Sequence, residues 1–409
     1  MQIAIVWQDI ITTLINSNDH FLIQQNKYIM VVGYGGRRII MENNDTSYYG
    51  RILIKALATN YPDNYYILYS PENRQNKRLT AIFNEDSVRV KFPRSHIHNK
   101  GRWYTGSGIV RSAKGHGVNT FHGIDDGIAS GFAGSNFPTV FTMTDPLYKS
   151  AQGWLERMAM LRRARKACKI AKRVIALNEV DRQLIIDHYH VNPDDVEVVH
   201  PCFYDGCDDS VPDNMFDILR EKYHLPERFV LYKGRLNKED NLTEAMKLVH
   251  ELRNRKISIV MLGYRTDHFD HVIKEDAHDL HIFHRFKQVD KVHHADLTAV
   301  CKMAKAVIIP NTDRMRDLYK LINAQRSGAL VICKDSAKAR EYGGDGALYY
   351  SDFHDGADLL SDVLEDDNRR DALLKASREN TERFTGKILA DNMIHIYRSV
   401  LMHRRLYQQ

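Results

Sequence analysis

The chain has 409 residues, of which 43% are hydrophobic and 27% are charged, and its formal net charge at pH 7 is +6. This length is too great for one hydrophobic core and suits two α/β domains, and the composition excludes an intrinsically disordered protein. No apolar run is long enough to span a bilayer, and residues 3–15 lack the positive flank and the cleavage site of a signal peptide. We therefore expect a cytoplasmic protein.

The five cysteines are scattered along the chain, apart from one close pair. An odd number at such spacing supports neither a disulfide framework nor a zinc site, so we expect reduced and partly buried thiols. They are Cys168, Cys202, Cys207, Cys301 and Cys333.

The N-terminal half predicts alternating strands and helices. Residues 1–29 fit this pattern poorly, and we interpret them as an appended or mis-started segment, with a genuine extra helix as the alternative. A strand within 28–38 runs into a glycine loop, and 45–61 has apolar residues at the three-and-four spacing of a helix. This order predicts a doubly wound parallel sheet. Further strands are expected at 65–69, 118–121, 138–143, 174–177 and 196–199, and a helix at 180–189.

His122 directly follows one of these predicted strands. In open α/β sheets, ligands bind at the carboxyl ends of the strands, so His122 is a candidate site residue. A lone histidine at a strand end is also often structural. The adjacent acidic pairs Asp125–Asp126 and Asp208–Asp209 are interpreted as loop surface.

Residues 154–173 predict a cationic amphipathic helix. Such a helix can lie on an anionic membrane, face an acidic acceptor or be a solvated helix face. Nucleic-acid binding is not expected, because no reader motif and no interleaved stacking aromatics accompany the charges. Its basic residues are Arg157, Arg162, Arg163, Arg165, Lys166, Lys169, Lys172 and Arg173, opposed only by Glu156, and its apolar residues include Trp154, Leu155, Met158, Leu161 and Ile170.

The C-terminal half repeats the strand and helix alternation after a linker at 204–212. Two helices are expected to finish the chain, the last over 385–407. The other predicted elements are helices at 216–223, 243–252, 297–304 and 318–326, and strands at 229–233, 257–262, 282–283, 306–310, 329–333 and 347–350.

The turn between the strand at 229–233 and the helix at 243–252 is typical of a phosphate site. Gly234 lets a backbone come close, Arg235 offers a fork that can hold a diphosphate, and the following helix presents free amide groups. The alternative is a plain strand-to-helix turn with an exposed arginine, because a single Gly-Arg pair is not specific.

Taken together, the chain from 30 to 401 resembles the retaining glycosyltransferases of the GT-B fold, particularly the family-4 type common in bacterial polysaccharide clusters. No single match is decisive, but their order and spacing across two domains are specific. The segments that carry the resemblance are 49–51 (YGR), 121–123 (FHG), 173–179 (RVIALNE), 196–201 (VEVVHP), 229–242 and 327–332 (SGALVI).

The resemblance implies an α/β protein with two Rossmann-like, doubly wound domains, 30–206 and 207–384, that face a cleft. It implies that helix 385–409 packs back on the N-terminal domain. A nucleotide-diphosphate sugar would bind in the cleft and its sugar would pass, with retention of configuration, to a glycan or lipid-linked acceptor at the inner membrane face. Neither a metal nor a redox cofactor is implied.

Carried over by position, Arg235 matches the arginine that holds the donor diphosphate, and His122 matches a histidine near the transferred sugar. Gly234 belongs to the same phosphate turn. The family usually has a lysine where this chain has Asp240, and Lys238 could replace it if the loop shifts.

The clearest departure from the family is the loss of two glutamates, which become Met315 and Asn323. Asn323 could still bond a ribose hydroxyl, and Asp313 or Asp317 could supply a carboxylate from a neighbouring turn. These changes leave open a catalytically inactive GT-B protein that acts as partner or scaffold of an active transferase. An unrelated nucleotide-binding protein such as an epimerase is a weaker alternative, because 33–36 only loosely approaches its glycine pattern.

Overall fold

The computed structural model describes residues 29–72, 85–94, 97, 99–135, 137–149, 151, 153–202, 214–234, 241–263 and 274–406. Apart from Ile29, the segment interpreted as appended lies outside these residues. The predicted linker and the domain boundary at 206/207 also lie outside them.

The first sheet has seven parallel strands in the order β3-β2-β1-β4-β5-β6-β7. The strands are β1 (Val31–Gly35), β2 (Tyr65–Tyr69), β3 (Val88–Lys91), β4 (Thr120–Ile124), β5 (Thr139–Thr142), β6 (Arg173–Ala176) and β7 (Val196–Val198). The helices around it are α1 (Arg37–Met41), α2 (Asp45–Asn60), α3 (Lys100–Thr105), α4 (Ser107–Gly115), α5 (Trp154–Ile170) and α6 (Glu179–Tyr189).

The second sheet has six parallel strands in the order β10-β9-β8-β11-β12-β13. The strands are β8 (Phe229–Lys233), β9 (Ser258–Leu262), β10 (Phe286–Val289), β11 (Val307–Ile309), β12 (Val331–Lys334) and β13 (Ala347–Tyr350). The helices are α7 (Asn214–Tyr223), α8 (Leu242–Glu251), α9 (Lys274–Asp279), α10 (Leu297–Met303), α11 (Met315–Arg326), α12 (Ala337–Gly343), α13 (Phe353–Glu365), α14 (Asp367–Thr381) and α15 (Gly386–Leu406). Single-turn 3-10 helices lie at Ser130–Phe132, Pro193–Asp195, Phe283–Arg285, His294–Asp296, Gly344–Gly346 and Glu382–Phe384.

Both sheets confirm the predicted doubly wound α/β class. The central strands are nearly continuous apolar runs because helices cover both faces of each sheet. In β8, residues 229–232 are each no more than 1% exposed. The strand order reverses between β1 and β4 in the first sheet and between β8 and β11 in the second. Each sheet therefore has a topological switch point, where open sheets of this kind bind ligands.

The strand predicted at 282–283 is wrong. Ile282 is buried, but Phe283 is 53% exposed and begins a 3-10 turn, and β10 starts at Phe286. This turn brings the buried guanidinium of Arg285 to two backbone acceptors, Ile257 O at 2.9 Å and Val249 O at 3.0 Å. The pair of apolar residues marks the packing of a turn, which periodicity alone did not distinguish from a strand.

Several other boundaries differ from those predicted. The basic helix ends at Ile170, and Arg173 already belongs to β6. Three helices, not two, follow the last strand, because Asp366 ends α13 and caps α14 by accepting a hydrogen bond from Arg369 N at 3.0 Å. Strand β3 and helices α3 and α4 had no counterpart among the predicted elements.

Helix α15 packs against the first sheet and α2, although it follows the second sheet in the chain. The hydroxyls of Tyr397 and Tyr34 are 2.9 Å apart and both side chains are fully buried. Tyr61 donates a hydrogen bond to Asp391 at 2.7 Å. The C-terminal helix thus completes the core around the first sheet. Its buried apolar residues are Leu389, Ala390, Met393, Ile394, Ile396 and Val400.

Four of the five cysteines lie among the described residues, and all four are buried free thiols, as predicted. Among the helices given above, none combines the length and the hydropathy that a membrane span requires.

Candidate active site

The carboxyl edges of the two sheets lie opposite each other. Helix α2 follows β1, and Tyr48 in its first turn meets Tyr319 of α11 edge to face, with ring centroids 4.7 Å apart. Asp45, at the start of α2, lies 3.9 Å from Arg316 Nε on α11. These contacts place the two switch points on the two sides of one cleft.

The predicted phosphate turn lies at the switch point of the second sheet. Strand β8 ends at Lys233, and Gly234 donates its N–H to Leu262 O at 3.1 Å. Helix α8 begins at Leu242, and Asn241 Nδ2 donates across the switch point to Pro310 O at 3.3 Å. Arg235 and Lys238 lie outside the described residues, so their roles in holding a diphosphate stay predictions.

Helix α11 carries Asp317 and Asn323, but it does not bring the two side chains together. Six residues apart on a helix, they point about 120° away from each other. Asp317 is buried, and its carboxylate accepts hydrogen bonds from Arg314 Nε at 3.1 Å and Lys320 Nζ at 2.8 Å. Asn323 is half-buried. The binding roles of both residues stay predictions.

Met315, one of the two positions where the resemblance implies a glutamate, differs in its surroundings from the nearby carboxylate of Asp313. Met315 is only 5% exposed and belongs to the core. Asp313 precedes α11 and is exposed, with its N–H bonded to Asn311 Oδ1 at 3.0 Å. Asp313 therefore offers a more accessible carboxylate than Asp317.

His122 is fully buried inside β4, where the strand continues two residues beyond it. Its Nδ1 is 2.7 Å from the Tyr397 hydroxyl and its Nε2 is 2.8 Å from Thr142 Oγ1. Burial lowers the pKa of His122 to about 3, so the ring is neutral. Both ring nitrogens have partners inside the protein. A role at the transferred sugar stays a prediction and requires the ring to exchange one of these partners for a sugar hydroxyl.

The switch point of the first sheet holds charged residues that sequence reasoning did not assign to a site. Arg37, two residues after β1, forms a two-pronged pair with Asp126, with Nε to Oδ2 at 2.8 Å and Nη2 to Oδ1 at 2.6 Å. Burial opposes ionisation of Asp126, but the bonds from Arg37 and the nearby charges of Arg38 and Arg163 outweigh it and lower its pKa. The combination of a charged residue after β1 and another after β4 was the available signal, because these strands are neighbours in the usual order.

The interpretation of Asp125–Asp126 as loop surface is therefore wrong. Asp125 is 2% and Asp126 is 9% exposed, because both lie at the switch point under neighbouring helices. Asp125 accepts hydrogen bonds from Thr46 Oγ1 at 2.6 Å and Thr144 N at 2.9 Å, and also from the Thr144 hydroxyl. Burial nevertheless raises its pKa to about 6.

A glycine is required beside this charged cluster. Gly36 donates its N–H to Tyr69 O at 2.8 Å, and a Cβ at this position would lie 2.9 Å from Leu68 Cβ. The chain immediately before Arg37 therefore packs closely against β2.

Helix α12 joins the second sheet to the first. The Glu341 carboxylate accepts from Glu179 N, at the start of α6, at 3.0 and 3.1 Å and lies 2.7 Å from His200 Nε2. Two further bonds reach residues next to α6 or in its first turn. They are Lys338 Nζ to Asp181 Oδ1 at 2.7 Å and Tyr342 O–H to Leu177 O at 2.6 Å.

The described residues contain no group of three or more His, Cys, Asp or Glu that could hold a metal ion. At the first switch point, Arg37, Arg38 and Arg163 surround the Asp126 carboxylate. Near the second, Asp317 is paired with Arg314 and Lys320.

Comparison with known proteins gives one curated relative and many solved structures. The chain is 24% identical over 229 residues to a D-inositol 3-phosphate glycosyltransferase of Corynebacterium aurimucosum. This match covers 52% of the chain and 53% of the relative, so it spans about half the length of each. No protein-family model matches the chain.

The solved structures match over nearly the whole chain. A glycosyltransferase from Rickettsia africae has a TM-score of 0.70 at 15% identity, over 92% of this chain and 99% of that one. The chain has the GT-B fold. A second GT-B match, Anabaena Alr3699/HepE in complex with UDP and glucose, has a TM-score of 0.68 at 13% identity, over 91% and 100% of the two chains. In the GT-B fold, the two sheets face each other across a cleft, and Gly234, where the predicted phosphate turn begins, belongs to the second sheet's side.

Proposed function

We propose that the chain is a retaining glycosyltransferase that moves a sugar from a nucleotide-diphosphate donor to a glycan or lipid-linked acceptor. The observation that carries this proposal is the GT-B fold, in which the connection from β8 to α8 lies at the switch point of the second sheet. The predicted phosphate turn lies in this connection. The match to a structure that holds UDP and glucose, and the partial match to a D-inositol 3-phosphate glycosyltransferase, support it.

The chemistry requires little covalent help from the protein. When the diphosphate leaves the anomeric carbon, negative charge grows on the leaving group and the sugar passes through an oxocarbenium-like state. Arg235 and the amide groups at the start of α8 stabilise that charge, and Gly234 allows the phosphates to approach the backbone. Lys238 adds a second cation, while Asn323 and Asp317 are the candidate partners of the donor on α11.

The test is a thermal-shift panel of nucleoside diphosphates and nucleotide-sugars, beginning with UDP and UDP-glucose, with donor hydrolysis followed in the same samples. A ligand that binds only the folded state raises its melting temperature. We expect one donor to stabilise the protein, and Arg235→Ala to weaken its binding by about tenfold or more, because a charge-assisted bond to phosphate is lost.

Arg228→Ala is the matched control, because Arg228 is exposed and precedes the opposite, amino end of β8. It should leave donor binding unchanged. Equal donor binding by wild type and Arg235→Ala would refute the diphosphate assignment.

A catalytically inactive GT-B partner protein is the second candidate. The sequence feature that favours it is the resemblance's expectation of two glutamates where the chain has Met315, which is buried, and Asn323, which is half-buried. Donor binding without any hydrolysis or transfer, or no response to any donor, would favour this function over the active enzyme.

We also propose that helix α5 docks on an anionic membrane surface at the inner membrane face. Its first six residues are all exposed, including Trp154 at 73%, Leu155 at 67% and Met158 at 41%. The helix packs on the protein through a different set of residues. Apolar side chains beside an excess of cations match an anionic lipid surface. The exposed basic residues are Arg157, Arg162, Arg165, Lys166 and Lys169.

A further inference from the structure

The first turn of α2 contacts both halves of the molecule. Thr46 donates a hydrogen bond at 2.6 Å to Asp125, which directly follows β4 of the first sheet. Two residues later, the Tyr48 ring meets Tyr319 of α11 edge to face, with centroids 4.7 Å apart. One residue earlier, the Asp45 carboxylate lies 3.9 Å from an arginine side chain of α11. A single helical turn therefore links Asp125 to α11.

The hydrogen bonds to Asp125 favour its ionised form. The hydroxyls of Thr46 and Thr144 both donate to Oδ2, and the Thr144 N–H donates to Oδ1 at 2.9 Å. Burial outweighs these bonds and raises the pKa of Asp125 to about 6, whereas the bonds themselves lower that pKa. Bonds that lower the pKa of a carboxyl are stronger to its charged form. Proton uptake therefore weakens the bond from Thr46.

The backbone of Asp125 also adopts a costly conformation. Its φ is 51°, in the left-handed region that residues with a side chain seldom occupy. Such a conformation persists where the surrounding structure holds it, and it occurs most often at functional sites. Asparagine tolerates the left-handed region as well as aspartate does. Asp125→Asn therefore removes the charge without a new demand on the backbone.

The groups that face Asp125 from neighbouring elements keep their charge between about pH 5 and pH 7.5. Arg38 on α1 stays protonated, as arginine does. Burial opposes ionisation of the adjacent Asp126, but the bonds from Arg37 and the nearby cations outweigh it and lower the Asp126 pKa. The surrounding tyrosines stay neutral because burial raises their pKa values. They are Tyr49 on α2, Tyr148 after β5 and Tyr189 on α6.

We infer that Asp125 is a positioning residue, whose ionised carboxylate holds the first turn of α2 where Asp45 and Tyr48 reach α11. Uptake of a proton by Asp125 loosens this contact between the two halves. Asp125 acts through Thr46 and needs no contact with a ligand. This control by a proton goes beyond the proposed function and requires neither a donor nor an acceptor.

The test is amide hydrogen exchange of the full chain without ligand, measured in the peptide 315–326 that forms α11. Rates at about pH 7.5 and about pH 5 are divided by those of the unfolded peptide at the same pH. At the higher pH we expect Asp125→Asn and Thr46→Val to raise the α11 rate by about fivefold, because a charge-assisted hydrogen bond is lost. At the lower pH wild-type Asp125 is mostly protonated, so the effect of Asp125→Asn should fall below about twofold.

Thr139→Val is the matched control. The Thr139 hydroxyl is buried in β5 and donates to Ile170 O at 2.9 Å, so this variant loses a hydrogen bond at the other end of the same sheet. It should leave the α11 rate unchanged. Burial raises the pKa of Asp45 too, and Asp45 can titrate in the same range. The difference between wild type and Asp125→Asn at each pH isolates Asp125.

A purely structural role of Asp125 in the first sheet would speed exchange in β4 and α2 but not in α11. An unchanged α11 rate in both Asp125→Asn and Thr46→Val, or an equal rise in Thr139→Val, would therefore overturn the inference. So would an effect of Asp125→Asn that is the same at both pH values. Thr46→Val alone is sufficient for the test if Asp125→Asn does not fold. Tyr319→Leu should in turn speed exchange in 44–50, because coupling between two sites is reciprocal.

Discussion

His122 joins three elements that are far apart in the chain. Its ring nitrogens bond Thr142 on β5 and Tyr397 on α15, and Tyr397 in turn bonds Tyr34 on β1. Because the ring is neutral and fully buried, protonation of His122 at low pH should destabilise the folded protein. A protonated ring would lose one acceptor nitrogen and place a charge in the core.

The expected consequence is a loss of stability in acid. The pKa of His122 is about 3 in the folded protein, well below its ordinary value of 6.5. The contribution of neutral His122 to the free energy of unfolding is therefore fully present above pH 6.5 and is lost as the pH falls toward 3. At pH 4.5 the loss is about 2 to 3 kcal/mol. His122→Gln, which cannot titrate, should show a flatter urea midpoint between pH 6.5 and 4.5 than wild type. Equal slopes would contradict this assignment.

Asp125 has the opposite effect on stability over part of the same pH range. Its folded pKa of about 6 is raised above the ordinary 3.8, so the stability linked to its protonation is fully present below pH 3.8 and is lost as the pH rises through 6. The wild-type profile contains both effects. Only the difference between wild type and His122→Gln isolates the histidine.

At the scale of elements, the apolar runs of the sequence were sufficient to predict most strands and helices. Strand β2 and strand β13 begin and end where they were expected, because a buried parallel strand needs an apolar side chain on both faces. The order of the elements then predicted the doubly wound sheets. Burial of polar side chains was not predictable in this way. Asp125 and Asp126 look like loop surface until the fold brings threonine and arginine partners to them from other elements.

Helix α5 is a second case in which the sequence pattern did not predict which residues are buried. Its amphipathic pattern was recognised, but the residues that pack on the protein are Met160, Ala164, Ala167 and Cys168, whereas Trp154 and Leu155 face solvent. Small side chains at helical spacing permit close packing on the sheet. Because these side chains are small, the sequence pattern gave them less weight than the larger apolar residues, which proved to be exposed.

If α5 docks on membranes, replacing Arg162, Arg165 and Lys166 with glutamine should reduce binding to anionic vesicles. Each cation near the surface contributes about 1 kcal/mol, so the triple variant should bind at least tenfold more weakly. Flotation with vesicles of increasing phosphatidylserine content measures this. Arg163 is left unchanged because its Nη1 lies 3.7 Å from the buried carboxylate of Asp126, so its replacement would also disturb the protein interior.

The matched control for the vesicle experiment is a triple glutamine variant of three exposed basic residues on α14, which has no exposed apolar residues of comparable size beside them. These residues are Arg369, Lys375 and Arg378. Equal losses in the two triple variants would point to nonspecific charge attraction. Wild-type protein that does not bind anionic vesicles would remove the docking proposal.

For the whole molecule, the contacts between α12 and α6 are one of the connections that hold the two halves together. The Lys338–Asp181 pair is the most buried of them, with Asp181 only 2% exposed. Lys338→Met leaves that carboxylate buried without its cation, which should cost about 3 to 5 kcal/mol. We expect a lower urea midpoint for this variant than for Lys375→Met, whose lysine is 75% exposed on α14.

Adding Asp181→Asn to Lys338→Met should recover most of the loss, because the amide needs no counter-ion. A single variant that resembles the Lys375→Met control, or a double variant no better than the single, would show that the pair does not couple the halves. Affinity for the proposed donor, measured on the same variants, reports whether this contact also affects the proposed donor site.

The hydrogen bond between Tyr397 and His122 also bears on how the protein is made. Domains commonly fold as they leave the ribosome, beginning with the N-terminal one. Here the core around the first sheet is not fully covered until α15 has been synthesised, and α15 follows the whole second sheet in the chain. We expect nascent chains arrested before α15 to expose apolar surface and to depend on chaperones, although every strand of the first sheet is already present.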